Sequence, residues 1–318
     1  METLLQIRDL KVNFYTYRGI VKALDGINLT IQRRESMGLV GETGCGKSVT
    51  ARSIMRLIDA PGRIEGGQIL LNSTDLLNVN DKEMRSIRGR KISFIFQEPK
   101  KALDPTATVG SQLLEAIRIA KDCSPKDARD AARDLLKKVG LADTERLMKS
   151  YSFELSGGMA QRVMIGMAIC GSPRLVIADE PTSALDVSVQ SQILRLLDDL
   201  YKEYGSSLLL ITHDLGVAAE NCDKIAVMYA GRIVEVGAVG DVFNKPAHPY
   251  TAKLLAALPT MDRDTLVSIP GMVPDLIHPP PGCRFSNRCD YQKGICTEAT
   301  PPMAELEEGH FVACYQTV

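Results

Sequence analysis

Leu155-Ser-Gly-Gly-Met-Ala-Gln-Arg162 is followed by an apolar segment, Leu175-Val-Ile-Ala178, that ends in Asp179 and Glu180. Upstream of both, Gly41-Glu-Thr-Gly-Cys-Gly-Lys-Ser48 matches the phosphate-loop pattern G-x-x-x-x-G-K-[ST]. A Ser-Gly-Gly segment at a helix start offers backbone N–H groups to an anion. Because the phosphate loop already fills that role in this chain, we interpret the segment as a second clamp for a nucleotide held by another subunit. The combination predicts a protein whose two subunits close around ATP as a dimer.

The composition is typical of a globular protein of about two domains. Apolar residues make up 45% and charged residues 24% of the 318 positions, close to globular averages. The net charge of −1 predicts no global nucleic-acid footprint. No apolar run reaches the ~18–20 residues that span a bilayer, and the N-terminus is charged too early for a signal peptide. We therefore expect any work at a membrane to proceed from its cytoplasmic face, through a partner.

Hydrophobic periodicity predicts an α/β fold. The predicted strands are Leu4–Val12, Val21–Ile31, Met37–Val40, Gly67–Leu71, Lys91–Gln97, Arg174–Asp179 and Ser207–Thr212, with a hairpin of Lys224–Tyr229 and Arg232–Val236. The predicted helices are Ser48–Ile58, Thr108–Lys121, Pro125–Val139 (N-capped by Ser124) and Val187–Tyr204. We expect an ATPase domain over 1–245, with an N-terminal antiparallel β subdomain and a helical insertion at about 102–165. A small, proline-rich, loop-rich extension with little hydrophobic core should follow over 246–318.

The phosphate loop predicts an ATP and Mg²⁺ site. Its glycines let successive backbone N–H groups point at the phosphates, and the following helix adds its positive N-terminus. Lys47 should reach the β- and γ-phosphates, and the Ser48 hydroxyl should ligate Mg²⁺. The remaining predicted nucleotide contacts come from the same stretch: Gly41, Glu42, Thr43, Gly44, Cys45, Gly46 and Val49.

Polar residues at strand ends supply the candidate chemistry. Asp179 should hold Mg²⁺ through water, and Glu180 stands where a carboxylate polarises an attacking water. His213 ends the strand-like run Leu208–His213, and Gln97 follows another such run. Taken alone, either of these two residues is more often structural than catalytic.

Four cysteines are crowded into the end of the chain. Cys283, Cys289, Cys296 and Cys314 have the spacing C-x5-C-x6-C-x17-C. In a chain without an export signal, such a cluster favours a metal site over a disulfide framework. Zinc sites usually show paired C-x2–4-C knuckles, which are absent here. An iron–sulfur cluster, a zinc ion and free thiols are the three alternatives.

Together, the motifs over residues 4–240 resemble the nucleotide-binding subunit of an ATP-binding-cassette transporter, a P-loop NTPase. The resemblance implies that Gln97 is the lid glutamine at Mg²⁺ and that Glu180 is the catalytic glutamate. It also implies that Ser156, Gly157 and Gly158 form the clamp on the partner's nucleotide. Ser183-Ala-Leu-Asp186 would be the loop between the subunits, and His213 the switch at the γ-phosphate.

Two features of that resemblance leave questions. An aromatic ring should stack on adenine, and Phe14, Tyr15 and Tyr17 compete for this role, since spacing alone does not choose. Met159 stands where glutamine is usual. We expect methionine to be tolerated there because the position lies past the phosphate contacts.

The tail resembles the oligopeptide, dipeptide and nickel importer branch of that family. The resemblance rests on Ala247-His-Pro-Tyr-Thr251 and on the four-cysteine segment from Gly282 to Tyr315. It implies a second, related ATPase subunit, two membrane permeases and an external substrate-binding protein as partners. It implies peptides as cargo, with nickel, metal chelates or oligosaccharides as alternatives, and it favours a [4Fe–4S] cluster over zinc.

Two rival interpretations belong to other functional classes. One is a soluble cassette ATPase of DNA repair or translation, which usually has long coiled-coil insertions or two cassettes in one chain; neither is present. The other is a regulator whose ATPase responds to the metal cluster. The sequence does not encode the cargo, because this subunit should never touch it.

Overall fold

The computed structural model describes residues 2–183, 185–258 and 268–317. Contacts divide the chain into two compact units. The first unit consists mainly of Asn78–Ile211. The second consists of Leu5–Ile31, Ser36–Leu77 and the described residues from Thr212 onward. In the described part, no helix is both long and apolar enough to cross a membrane.

The strands are labelled in chain order. They are β1 (Thr3–Thr16), β2 (Gly19–Gln32), β3 (Ser36–Val40), β4 (Gly62–Leu71), β5 (Thr74–Asp75), β6 (Ile92–Ile95), β7 (Leu175–Asp179), β8 (Ser207–Thr212), β9 (Lys224–Tyr229), β10 (Arg232–Ala238), β11 (Ala304–Glu307) and β12 (His310–Val312).

The helices are labelled in the same way. They are α1 (Lys47–Ile54), α2 (Asp81–Ile87), α3 (Pro99–Ala102), α4 (Val109–Ala120), α5 (Pro125–Lys138), α6 (Thr144–Lys149), α7 (Gly157–Ile169), α8 (Val187–Glu203), α9 (Leu215–Asn221), α10 (Val239–Asn244), α11 (Pro249–Ala256) and α12 (Ile295–Glu298). Single 3₁₀ turns lie at Ser152–Glu154 and Ser286–Arg288.

The first unit is built on parallel strands and a group of helices. Strand β7 pairs in parallel with β6 on one side and with β8 on the other. All five residues of β7 are buried, which explains its uninterrupted apolar sequence. Helices α4 and α5 begin at side-chain caps, since the Thr108 and Ser124 hydroxyls accept from the N–H groups of Ser111 and Asp127. The Ser124 cap confirms the predicted start of α5, whereas α4 starts at Val109, one residue after the predicted Thr108.

The second unit contains an antiparallel sheet and a mixed one. The antiparallel sheet has the order β2-β1-β4-β5. In the mixed sheet the order is β11-β12-β10-β9-β3. Strand β3 pairs in parallel with β9, and the predicted hairpin of β9 and β10 pairs Tyr229 with Arg232. Strand β12, from the C-terminal tail, pairs with β10.

Three predictions about local structure need correction. The helix after the phosphate loop ends at Ile54 instead of Ile58, because Arg56 has a left-handed backbone (φ 50°) that a helix cannot continue through. Strand β4 starts at Gly62, earlier than Gly67. The tail was expected to have little hydrophobic core, yet Tyr250 and Phe285 are 0% and 1% exposed. They pack in the core cluster that includes residues of β3 and β9, so the tail shares an existing core.

Candidate functional site

The phosphate loop joins the buried strand β3 to helix α1 in the second unit. Gly41 and Gly46 have φ angles of 149° and 109°, a region that favours glycine. A Cβ atom on Gly41 would collide with the backbone carbonyl of Met228. No side chain caps α1 at Gly46, and the N–H groups at a helix start favour an anion.

Lys47 begins α1 and folds back over the loop. Its side chain is buried, and Nζ donates to the carbonyls of Gly41 at 2.7 Å and Glu42 at 3.2 Å. Ser48 and Val49 follow in the first turn of α1, and Thr43 and Gly44 complete the loop. Cys45 is buried, and this burial raises the pKa of its thiol. The thiol therefore stays protonated at neutral pH and acts as a small core residue.

Glu42 is held through its backbone and its side chain. Its N–H donates to the Tyr250 hydroxyl at 2.9 Å. Its carboxylate accepts two hydrogen bonds from Arg288, at 2.8 and 3.0 Å. This paired geometry is the strongest form of a charge-assisted hydrogen bond, and it raises the pKa of Arg288. The second residue of the phosphate loop is therefore fixed by the C-terminal tail.

In the first unit, three predicted site residues lie together at the acidic end of strand β7. Asp179 is the last residue of β7 and is 2% exposed. Glu180 follows with a left-handed backbone (φ 44°), and its N–H donates to the carbonyl of Ile211 at 2.9 Å. The Gln97 amide donates to the Glu180 carboxylate at 3.0 Å. A non-glycine residue in this conformation costs about 1–3 kcal/mol and is concentrated at functional sites.

The Ser-Gly-Gly segment starts helix α7 in the first unit. The Ser156 hydroxyl is the N-cap and accepts from the N–H of Met159 at 3.2 Å. Gly157 and Gly158 form the first turn, where a Cβ would stand 3.2 Å from Leu185 and 3.0 Å from Val189. Ser156 is exposed, and both glycines are partly exposed. A solvent-accessible helix start without bulky side chains in its first turn suits an anion bound to another molecule.

The other predicted site residues lie in the second unit. His213 directly follows β8 and is exposed. Among the candidate adenine-stacking rings, Tyr15 bonds Glu65 through its hydroxyl at 2.8 Å and has Arg63 over its ring at 5.2 Å. Tyr17 is 91% exposed.

Phe14 is partly buried beside Gly62, its partner residue in β4. Tyr17 therefore offers the most accessible aromatic ring of the three candidates.

The four clustered cysteines also lie in the second unit, and none of them forms a disulfide. The N–H of Cys283 donates to the carbonyl of Cys296 at 2.8 Å. Burial, followed by the charges of the other three thiols, raises the pKa of Cys283 to about 11. The Cys296 and Cys314 sulfurs accept backbone N–H bonds at 3.4 Å. Among the described residues, no three or more His, Cys, Asp or Glu side chains are arranged to hold a metal ion.

Sequence reasoning missed the two tail residues that contact the loop. Tyr250 was noted only as part of the His-Pro-Tyr element, and Arg288 only as a residue between two cysteines. The available signal was the presence of two arginines, Arg284 and Arg288, in a segment that was otherwise expected to be loop. A buried arginine requires an acidic partner, but nothing in the sequence says that this partner is Glu42.

The same motifs are found in known proteins. Residues 24–183 match the family model of the ABC transporter, and residues 234–296 match that of the oligopeptide/dipeptide transporter C-terminal region. The chain therefore belongs to the ABC transporter family, as one of its ATP-hydrolysing subunits.

Within that family, the chain is similar to ATP-binding subunits of peptide transporters. The chain is 45% identical to the probable peptide ABC transporter ATP-binding protein y4tR of Sinorhizobium fredii, over 99% of this chain and 96% of the relative. It is also 45% identical to the oligopeptide transport protein OppD of Bacillus subtilis, over 97% of this chain and 87% of the relative.

Solved structures support the cassette fold. The dimeric, ADP- and phosphate-bound MJ0796 cassette superposes with a TM-score of 0.67 at 27% identity, over 74% of this chain and 99% of that one. CbiO1 of Clostridium perfringens, a part of the cbiONQ transporter complex, gives a TM-score of 0.64 at 28% identity, over 77% and 92% of the two chains.

Proposed function

We propose that this chain is the ATPase subunit that powers an importer of di- or oligopeptides from the cytoplasmic face of the membrane. The observation that carries the proposal is the 45% identity, over nearly the whole chain, to peptide transport subunits. This identity is joined to an intact phosphate loop, signature segment and acidic strand end. Nickel, metal chelates and oligosaccharides are the alternative cargoes.

In the proposed site, the loop holds the nucleotide and the strand end supplies the chemistry. Lys47 binds the β- and γ-phosphates, while Ser48 and Asp179 hold Mg²⁺. Glu180 orients the attacking water, and its hydrogen bond to Gln97 fixes the carboxylate. Positioning and charge stabilisation are most of what phosphoryl transfer requires. His213 contacts the γ-phosphate.

The remaining nucleotide contacts complete a shared site. Tyr17 stacks on adenine, with Phe14 as the alternative, because the Tyr17 ring is the more exposed. Ser156, Gly157 and Gly158 of a second, related ATPase subunit close over the γ-phosphate. The dimeric, ADP- and phosphate-bound MJ0796 cassette, 27% identical, supports a dimer.

The proposed partners follow from the same family membership. Two membrane permeases dock on the helical insertion at about 102–165, and an external binding protein delivers the peptide. We assign the ATPase domain to 1–245 and the importer-type extension to 246–318, in line with the separate family match at 234–296. A soluble cassette ATPase acting on nucleic acid is the rival, and the net charge of −1 disfavours it.

An affinity-tag pull-down from detergent-solubilised host membranes tests the proposal. We expect two permeases and a second ATPase subunit to be recovered, with ATPase activity that rises when peptide-loaded binding protein is added. The Lys47→Ala variant should recover the same partners without ATPase activity, which separates assembly from chemistry. Recovery only from the soluble fraction, with nucleic acid or ribosomes, would move the chain to the rival class.

We further propose that Cys283, Cys289, Cys296 and Cys314 hold a [4Fe–4S] cluster with a structural role, zinc being the alternative. The four thiols are close enough for the other three to raise the pKa of Cys283, and backbone N–H groups point at two of the sulfurs. Such bonds tune cluster thiolates.

Anaerobic purification tests the cluster. We expect brown protein with broad absorbance near ~400 nm from thiolate-to-iron charge transfer, lost in Cys289→Ser. The matched control is Cys123→Ser, which changes a free cysteine outside the cluster and should stay brown. Colourless protein carrying one zinc per chain would support the alternative.

A further inference from the structure

The C-terminal tail forms hydrogen bonds with Glu42 of the phosphate loop through two separate groups. The Arg288 guanidinium binds the Glu42 carboxylate, and the Tyr250 hydroxyl accepts the Glu42 N–H. The carbonyl of the same residue accepts from Lys47. Glu42 therefore connects the tail directly to the lysine that is proposed to bind the phosphates.

Arg288 is fixed next to Glu42 by burial and by its hydrogen bonds. Its side chain is 3% exposed, and each of its five N–H donors has an acceptor, which is the full capacity of a guanidinium. Two go to the Glu42 carboxylate, one to the Tyr229 hydroxyl and two to the carbonyls of Ile269 and Pro270. Because every donor is used, the Glu42 carboxylate cannot shift without leaving buried polar groups unpaired.

Tyr250 reaches Glu42 along a second path. Its N–H donates to the His248 ring at 3.0 Å, and the His248 N–H donates to the fully buried Glu235 carboxylate at 2.9 Å. Glu235 also bonds the ring of His310 at 2.8 Å. His310 opens β12, the strand that leads to Cys314. The first path starts at Arg288, next to Cys289, and the second at His310, four residues before Cys314, so both start in the cysteine-bearing segment.

We propose that the cysteine-bearing tail sets the phosphate loop for nucleotide binding through Glu42, with Arg288 and Tyr250 as positioning residues. The inference rests on the proposed nucleotide site and adds that the tail influences the nucleotide affinity of this site. If the segment around the cysteines loses its order, Arg288 and Tyr250 no longer bind Glu42. Glu42 then loses the contacts that hold the first turn of the loop, and nucleotide affinity falls while the hydrolytic groups of the first unit stay intact.

The test is equilibrium binding of a fluorescent ATP analogue with Mg²⁺ to the full-length chain. We expect Arg288→Ala to raise Kd about tenfold, the middle of the range for coupled contacts. In the assembled transporter, KM for ATP should rise by a similar factor while kcat at saturating ATP stays close to wild type. Arg288→Lys keeps the charge and should recover part of the affinity.

Arg284→Ala is the matched control. Arg284 is also buried, stands next to Cys283 and pairs with Asp25 at 2.7 Å instead of with Glu42. It should lower thermal stability as much as Arg288→Ala, with nucleotide Kd within about twofold of wild type. This comparison separates loop positioning from a general loss of tail stability.

A double-mutant cycle tests the route. Cys289→Ser should raise the nucleotide Kd of the wild-type chain but add little in the Arg288→Ala background. Glu42→Gln should likewise make Arg288→Ala almost silent. Both results are the expected non-additivity of residues that act through one contact.

Two outcomes separate the failure of this inference from the failure of the proposed function. If the wild-type chain binds no nucleotide, the proposed ATP site itself fails. If the wild type binds but Arg288→Ala and Arg284→Ala give equal affinities, the tail is only a structural appendage and the inference is overturned. Full additivity in the cycle would likewise overturn it.

Discussion

The phosphate loop and the acidic strand end both follow fully buried parallel strands, β3 and β7, but they are held in different ways. Glu180 accepts a hydrogen bond from the Gln97 amide, just past the neighbouring strand β6, and donates its N–H to the carbonyl of Ile211 in β8. Glu42 is held by Tyr250 and Arg288, residues 208 and 246 positions further along the chain. The carboxylate that we propose for hydrolysis is thus held by residues in or next to the neighbouring strands of its own sheet. The nucleotide-binding loop depends in addition on the tail, and this contrast predicts separable effects.

The largest effect is expected at the acidic strand end. Glu180→Gln should bind ATP like wild type but lose hydrolysis by about 10²–10⁴-fold, the usual contribution of a general base. Phosphate release and ATP-dependent dimer formation measure the two properties. Glu203→Gln, an exposed carboxylate paired with Lys138, is the control. Full ATP turnover by Glu180→Gln would show that Glu180 does not orient the attacking water.

A comparable loss is expected at the signature segment. Ser156→Arg places a long cation at the helix start and should abolish turnover at the partner's nucleotide while leaving binding to Lys47 intact. Ser124→Arg is the matched control, because it also removes a serine N-cap, at about 1 kcal/mol of stability. Steady-state ATPase activity and nucleotide binding are measured on both. Surviving turnover in Ser156→Arg would refute the shared site.

A smaller effect, on stability, is expected in the core beneath the tail. Phe285 packs against Tyr229 and Tyr250 with ring centroids 5.1 and 5.3 Å away. Phe285→Ala should therefore lower the free energy of unfolding by about 3–5 kcal/mol. Phe153→Ala, at an exposed ring, should change it by less than about 0.5 kcal/mol. The free energies are measured by urea unfolding. Equal losses for Phe285→Ala and Phe153→Ala would show that the tail is not part of the core.

The smallest effect is expected from the pH. Burial lowers the pKa of His248 to about 3, whereas an unfolded histidine titrates near ~6.5. Between these values the unfolded chain binds a proton that the folded chain does not, so stability falls as the pH drops, by about 1.4 kcal/mol per pH unit.

A matched variant isolates this contribution. Asparagine in His248→Asn still offers an acceptor to the Tyr250 N–H but does not titrate. Its unfolding free energy between pH 7 and 5 should therefore depend less steeply on pH. Identical slopes for the variant and the wild type would show that His248 does not carry the acid sensitivity.

Local sequence signals were sufficient for much of the fold. The run Ser207–Thr212 and the hairpin strand Lys224–Tyr229 are strands at the predicted bounds, because a strand buried on both faces is apolar over most of its length. Ser124 caps its helix as predicted, since capping depends only on residues three positions apart. Helix ends and the tail were predicted less well. The left-handed turn at Arg56 and the pairing of β12 with β10 have no local signature.

For this protein, sequence alone determined the class of chemistry, because a phosphate loop, a signature segment and an acidic strand end each require fixed residue types at short, fixed spacings. Only the tertiary structure decided that Gln97 reaches Glu180 and that Arg288 and Tyr250 reach Glu42. Such contacts join distant segments, and a buried arginine is satisfied equally well by any properly placed carboxylate. Which carboxylate it meets is settled by the packing of the tail, in the core that Phe285 shares with Tyr229.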